Sequence, residues 1–391
     1  MKRSWLFLLL GCAAAAQENP GDGIRAENLR KHVEFLASPE LKGRNNQTPE
    51  GEKAAQYVAD QMKRIGLKPG GKDGYFHRFK TSKARGGDVG GFEGTNVVGL
   101  LEGTDLKHEY VVLNAHHDHL GVVKGTVRPG ADDNASGVAM ILELAAAFAK
   151  KPPRRSLLVV SFDCEEDGLV GSREFVAANL YDPATIAADV CFDLIGGDFY
   201  PWESKTIYAL GTEYSPEIAG TVKRHFRESL QIRQAGVFLI EQMGWARSDY
   251  GNFRPKKIPF VFFTTGTPWY YHSAHDTPDK MNWPKMEAAG RYCFDVAAEI
   301  ANAEKRPTFV SGPVPWRSDA ELMRDAIGLV LASPDQIKFT DEQKEKGTKL
   351  IASMEDLLKK PALDKGDIPV IQQAMIWLFV VQAGQIKHKG K

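Results

Sequence analysis

Five segments of this 391-residue chain carry histidines and carboxylates of the kind that hold divalent metals. The first is Asn114-Ala115-His116-His117-Asp118-His119, at the end of an apolar run. Successive side chains of a strand point to opposite faces, so His116 and Asp118 share a direction and His117 points away. A metal-bound imidazole usually donates its second N–H to a carboxylate, and Asp118 is placed to accept it from His116. His117 and His119, the latter past the strand end, read as non-ligands. The second segment, Gly130-Ala131-Asp132-Asp133-Asn134-Ala135-Ser136-Gly137, lies between a loop and a helix. Alone it reads as acidic residues at the positive end of a helix. As one of a set, an Asp here is placed to bridge two cations. The third is Cys164-Glu165-Glu166-Asp167-Gly168. Three consecutive acids after a buried strand repel one another, and a cation is the usual reason to keep them. Glu166 can ligate while Glu165 faces a reacting water as general base. The fourth is Asp193, which ends an apolar strand and is costly there unless paired or metal-bound. The fifth is Tyr271-His272-Ser273-Ala274-His275-Asp276-Thr277, in a loop, where a lone histidine is weak evidence.

The elements that must position these residues are legible from periodicity. Apolar runs at 96–101, 110–115, 156–163, 190–195, 207–210 and 259–263 read as strands. Helical patterns cover 24–38, 48–65, 136–150, 172–179, 218–230 and 285–304. Thr48 is an N-cap before Pro49, and Gly66 is a stop. Continuous apolar strands alternating with helices imply a sheet covered on both faces. The expected fold is α/β, a three-layer α/β/α sandwich with a mixed, largely parallel central sheet, plus a C-terminal helical extension. In such sheets sites form at the carboxyl ends of strands. A Pro-rich break at 306–315 precedes three further helices at 320–331, 340–358 and 369–383. The apolar run 374–381 is too short to span a membrane and reads as a packed helix. The expected divisions are an export signal at 1–16, a catalytic domain at 22–306 and the extension at 316–391.

Composition narrows the class. Fifty basic residues balance fifty acidic ones, which argues against a nucleic-acid partner. Lys2 and Arg3, the apolar stretch 5–10 and Ala14-Ala15-Ala16 have the order of an export signal, which implies a periplasmic or extracellular protein. Leu9-Leu10-Gly11-Cys12 gives the alternative of a lipid anchor through Cys12. No transmembrane span is expected. Four cysteines are too few for a disulfide scaffold. Cys164, Cys191 and Cys293 read as buried free thiols, with a Cys164–Cys191 bridge as the alternative.

Taken together, the motifs resemble the secreted bacterial di-zinc aminopeptidases of clan MH. They match in family order: Ala-His-x-Asp at His116 and Asp118, Gly-Ala-x-Asp-Asn at Asp133 and Asn134, Glu-Glu-x-Gly-Leu-x-Gly-Ser from Glu165, a strand-ending Asp193, and Tyr-His-x-x-x-Asp-Thr from Tyr271. Leu36-Ala37-Ser38 and Leu41-Lys42-Gly43-Arg44 also look like this family. The resemblance covers 24–303. It implies two Zn2+ ions per chain, bridged by Asp133, with His116 and Asp193 completing one site and Glu166 and His272 the other. It implies a metal-bridging hydroxide as nucleophile, Glu165 as general base, Asp118 as the residue that orients His116, and Tyr271 as a support for the tetrahedral intermediate. It implies a cis Asp133–Asn134 peptide and peptide substrates with a free N-terminus. Ser248-Asp249-Tyr250 departs from the Ser-Asp-His common in relatives. Three rival readings share the fold: a carboxypeptidase or other amide hydrolase, a glutaminyl-cyclase-like acyltransferase, and a non-catalytic binding module. The last two fit poorly with a chain that keeps His116, Glu165 and the full ligand set.

Overall fold

The computed structural model describes residues 19–84, 87–241 and 246–385. The expected export segment and Cys12 lie outside them. The chain opens with α1 (Ala26–Leu36) and α2 (Pro49–Ile65). Thr48 caps α2 by accepting from the Gly51 N–H at 3.1 Å, and Gly66 follows in the left-handed region. Strands β1 (Lys68–Pro69), β2 (Phe76–Ala84), β3 (Gly87–Leu101) and β4 (Leu106–His116) come next, then the short pair β5 (Gly121–Val123) and β6 (Thr126–Arg128). The rest of the α/β region is α3 (Gly137–Lys150), β7 (Arg155–Phe162), α4 (Val170–Ala178), β8 (Ile186–Phe192), β9 (Thr206–Leu210), α5 (Pro216–Arg224), β10 (Gln231–Ala235), α6 (Tyr250–Phe253), β11 (Phe260–Thr264) and α7 (Trp283–Asn302). Helices α8 (Arg317–Leu331), α9 (Asp341–Lys359) and α10 (Ile368–Gly384) complete it.

Among the described residues the main sheet has nine strands in the order β1-β3-β7-β4-β8-β11-β9-β10, with β2 also on β3. The centre is parallel: β7 with β4, β4 with β8, and β8 with β11. Strands β3 and β9 join it antiparallel, so the sheet is mixed. Every residue of β7 and β8 is buried, as expected for strands covered on both faces.

Alternate residues divide the core into two layers. Val97, Val111, Leu113, Leu157 and Val159 pack under α1, α2, α3 and α7. Their neighbours Val98, Val112, Leu158 and Val160 face Phe175 of α4 and Phe253 of α6. Helix α3 is apolar around most of its circumference and is correspondingly buried between the sheet and other helices. The three C-terminal helices cover Leu210, Ala235, Phe260 and Phe262, extending the second layer across β11, β9 and β10. The fold is therefore a three-layer α/β/α sandwich whose C-terminal helices are part of one face. No helix among the described residues is long and apolar enough to cross a membrane.

Two expectations need correction. Helix α5 stops at Arg224 rather than running to 230: the chain turns extended at His225 (ψ 134°), which leaves Phe226 77% exposed while Leu230 returns to the core. Strand β10 has the sequence Gln-Ile-Arg-Gln-Ala and went unseen because a partly exposed edge strand lacks the apolar run of a central one. Cys164, Cys191 and Cys293 are buried and unpaired.

Candidate metal centre

Adjacent parallel strands β7, β4 and β8 end side by side. In the register, His116 lies opposite Phe162, and Asn114 lies opposite Cys191. Two residues on from that second pair, His116 and Asp193 stand level. Three residues past Phe162, the chain has turned through Cys164 at φ 59° and presents Glu165 and Glu166. The sheet alone thus delivers four of the expected residues to one edge.

Loops deliver the rest. The Asp133–Asn134 peptide is cis. The Asn134 amide donates to Phe192 O at 2.8 Å and accepts from Gly137 N at 2.9 Å, which ties this turn to the end of β8 and the start of α3. Asp276 accepts from the N–H groups of Asp132 and Asp133 at 2.8 and 3.1 Å, so the loop carrying His272 is fastened directly to the one carrying Asp133. Asp132 in turn accepts from Gly196 N at 2.8 Å, Gly197 N at 3.1 Å and the Tyr270 hydroxyl at 3.2 Å. Beneath them lies Arg44, fully buried. Its guanidinium donates to the carbonyls of His117, Leu36, Pro129, Gly130 and Asp133 at 2.5–3.1 Å. That uses its whole donor fork on backbone rather than on a carboxylate.

At the centre, Asp133 faces two groups of side chains with its two oxygens. Its Oδ1 lies 3.4 Å from His116 Nε2, which is also 3.5 Å from Asp193 Oδ1 and 3.9 Å from Glu165 Oε2. Its Oδ2 lies 3.0 Å from His272 Nε2, which is 3.2 Å from Glu166 Oε2. The site contains one histidine that the sequence reading set aside. His119 Nδ1 is 2.8 Å from Glu166 Oε1 and 3.7 Å from Asp133 Oδ2. His119, Asp133 and Glu166 form one compact ligand-type cluster, and His116, Glu165 and Asp193 another. His119, expected to be a non-ligand, thus lies within hydrogen-bond reach of the ligand-type carboxylate Glu166. The chain bends after Asp118, and a residue beyond a strand end is not bound by the strand's alternation. His117 does obey it: it turns away to Ser161 Oγ at 3.0 Å, and burial lowers its pKa to about 4.

Asp118 lies beside His116. The His116 Nδ1 is 3.1 Å from the Asp118 backbone oxygen and 3.5 Å from its carboxylate. The carboxylate itself accepts from the Glu165 and Glu166 N–H groups at 3.1 and 3.2 Å. The Tyr271 ring stacks on His272 with centroids 3.8 Å apart. Burial, reinforced by Asp133 and Glu166, holds its phenol well above the usual range. Tyr250 faces away into the second core, stacked on Phe260 and Phe262, with its hydroxyl donating to Glu241 at 3.0 Å. The departure in Ser248-Asp249-Tyr250 is therefore a packing feature at Tyr250. His275 is exposed beside Trp269.

The donor set fits divalent cations. His116 Nε2, Asp133 Oδ2, Asp193 Oδ1 and His272 Nε2 are buried atoms without a hydrogen-bond partner. Such orphans are costly in a protein interior and converge here on two neighbouring points. Imidazole and carboxylate are zinc's usual ligands outside cysteine sites. The electrostatics agree. Burial pushes Glu165 well above the ordinary carboxylate range, helped by Asp193 and Glu166 and opposed by His116. Burial and Asp133 also push Glu166 up, but the neighbouring imidazoles of His119 and His272 bring it down to about 2. Burial would lower His272, yet Asp133 and Glu166 raise it to about 10. Metal ligation requires these imidazoles to be neutral, so ion binding would be coupled to proton release.

Comparison with known proteins agrees with this geometry. The model of peptidase family M28 matches residues 96–297, just over half of the chain. Aminopeptidase YwaD of Bacillus subtilis is 26% identical over 227 residues, which cover 54% of this chain and 46% of that protein. The chain thus spans about half the length of this curated relative. Among solved structures, a zinc aminopeptidase from Bacillus subtilis superposes with a TM-score of 0.59 at 16% identity, covering 76% of this chain and all of the other. The Legionella pneumophila LapA aminopeptidase gives 0.58 at 20% identity, covering 73% and 74%. These two likenesses concern the fold. With the family model spanning β4, β7, β8 and β11 and the site residues His116 to His272, the chain belongs to peptidase family M28.

Proposed function

We propose that this protein is a co-catalytic di-zinc exopeptidase that removes N-terminal residues from peptides. The observation that carries the reading is the placement of Asp133 between two sets of buried, unpartnered ligand atoms, with Glu165 beside one of them. His116, Asp133 and Asp193 would hold one zinc ion; Asp133, Glu166 and His272 the other. When bound, such a pair polarises a scissile carbonyl and lowers the pKa of water enough for attack at neutral pH.

The chain's own groups do the remainder. Glu165 takes the proton of the attacking water and passes it to the leaving amine. Asp118 fixes the backbone of the Glu165–Glu166 pair and lies against His116. Tyr271, kept protonated by its surroundings, is placed on the His272 side to donate to the oxygen of the tetrahedral intermediate. A peptide's free α-amine is received among the same carboxylates, which restricts cleavage to the first residue. Residues 22–306 constitute the catalytic domain and 316–391 an extension that completes one helical layer. The N-terminal 16 residues direct export, with lipidation at Cys12 as the alternative fate; Lys2, Arg3 and the apolar stretch after them support that part.

The test is direct. With zinc present, Leu-Gly-Gly should release leucine, and N-acetyl-Leu-Gly-Gly should release nothing. Release of C-terminal glycine from the acetylated peptide would replace this reading with a carboxypeptidase.

A further inference from the structure

His119 has no role in the mechanism above, yet it is held more firmly than a bystander would be. Its side chain is fully buried. Its carbonyl accepts from Asn45 Nδ2 at 3.1 Å, which pins the backbone just past β4. One side of the ring is met by Gly130, at φ +64°, where a Cβ would come within 2.6 Å of His119 Cγ and Cδ2. Only glycine suits both that backbone conformation and that close approach. On another side the ring stands edge-on to His272, with centroids 5.7 Å apart. Confined in this way, Nδ1 is aimed at Glu166 Oε1 at 2.8 Å, the length of a charge-assisted hydrogen bond. An ionised carboxylate can only accept, so Nδ1 carries the hydrogen. The other oxygen of Glu166, Oε2, faces His272 Nε2 at 3.2 Å.

The two oxygens of Glu166 are therefore divided between two imidazoles. We infer, resting on the di-zinc reading above, that His119 is a positioning residue for the second metal site: it holds Glu166 Oε1 so that Oε2 is the oxygen offered to the ion shared with Asp133 and His272. An unheld carboxylate would rotate between one-oxygen and two-oxygen ligation and would lose entropy on binding. His119 settles that orientation beforehand. Gly130 is part of the same device, since a Cβ there would meet both the ring, at 2.6 Å, and, closer still, the Asp133 carbonyl oxygen.

The experiment measures zinc binding by competition with a chromophoric chelator, on the full-length protein and on His119→Asn and His119→Phe. Asparagine places an N–H donor near the position of Nδ1; phenylalanine keeps a ring and removes the donor. Wild type should bind two zinc ions. His119→Phe should weaken one site about 10- to 100-fold and leave the other unchanged, and His119→Asn should stay within about threefold of wild type, as expected for loss and retention of an outer hydrogen bond to a ligand. The visible spectrum of the cobalt-substituted His119→Asn protein should match that of wild type. If circular dichroism shows His119→Phe to be unfolded, His119→Leu takes its place. Unchanged affinity at both sites in the donor-less variant would overturn the inference. So would a His119→Asn protein that binds as weakly as His119→Phe with an altered cobalt spectrum, because His119 would then be a direct ligand. A wild-type protein that binds no pair of zinc ions would instead contradict the di-zinc reading itself.

Discussion

Asp118 serves two neighbours at once, and this sets what its removal should do. Its carboxylate accepts from the Glu165 and Glu166 N–H groups, and its own carbonyl takes the His116 Nδ1 hydrogen bond. Asp118→Ala keeps the carbonyl and removes the carboxylate, so it should loosen the base Glu165 and the ligand Glu166 together. We expect kcat for peptide hydrolysis to fall about 10- to 100-fold, the usual scale for a group that orients metal ligands. Steady-state kinetics at saturating zinc check this, and unchanged kcat would remove Asp118 from the account. Residues of this type were readable in the sequence because chemistry limits which side chains can stand there. Alternation along β4 separates His116 from His117 correctly. It has no authority over His119, which follows the strand, and it cannot tell that Asp118 would reach the next strand's loop as well as the imidazole. Arg44 and Asp276 sit inside motifs quoted from the sequence. Their tasks, clamping five carbonyls and fastening two loops, emerge only when segments far apart in the chain meet.

Elements were legible in proportion to their burial. Strands β7 and β8 are apolar throughout because both faces are covered, whereas β10 at the edge is polar and was missed. The C-terminal helices were legible as helices, but their destination was not, since an apolar stripe does not name the surface it covers. They cover the β11–β9–β10 side of the sheet. Trp377 of α10 is a centre of this packing: it is 2% exposed, donates to Gln343 O at 2.9 Å and lies over Gly347 of α9. Trp377→Ala should cost about 3–5 kcal/mol of stability, typical of a buried large-to-small change. Urea titration would measure it, and kcat well below the transition should be unaltered. A loss within about 0.5 kcal/mol, the scale of surface changes, would mean that α10 does not contribute to the core.

The whole molecule carries buried acid outside the metal centre, and this gives its stability a pH dependence. Glu213, between β9 and α5, accepts from Val237 N at 2.7 Å. Burial raises its pKa from 4.5 to about 8; backbone hydrogen bonds oppose the shift, and Asp319 and Glu241 add to it. A carboxyl whose folded pKa is raised contributes stability that is complete below pH 4.5 and is lost as pH rises through about 8. Glu213→Gln keeps an acceptor for Val237 and has no charge to bury. Relative to wild type it should gain on the order of a few kcal/mol between pH 5 and pH 9. Urea titrations at the two pH values check this, and parallel losses in both proteins would contradict it. The same logic of buried charge applies at the centre, where zinc should stabilise the fold by mass action and EDTA should lower Tm. The account as a whole stands on the di-zinc aminopeptidase reading, and one measurement tests it most directly: release of p-nitroaniline from a panel of aminoacyl-p-nitroanilides by zinc-loaded wild type, EDTA-treated wild type and Glu165→Gln. The account predicts turnover that is abolished by EDTA, restored by zinc and reduced at least about 100-fold in Glu165→Gln, as for loss of a general base. Full activity in Glu165→Gln, or no turnover of any substrate by a folded protein holding two zinc ions, would contradict it.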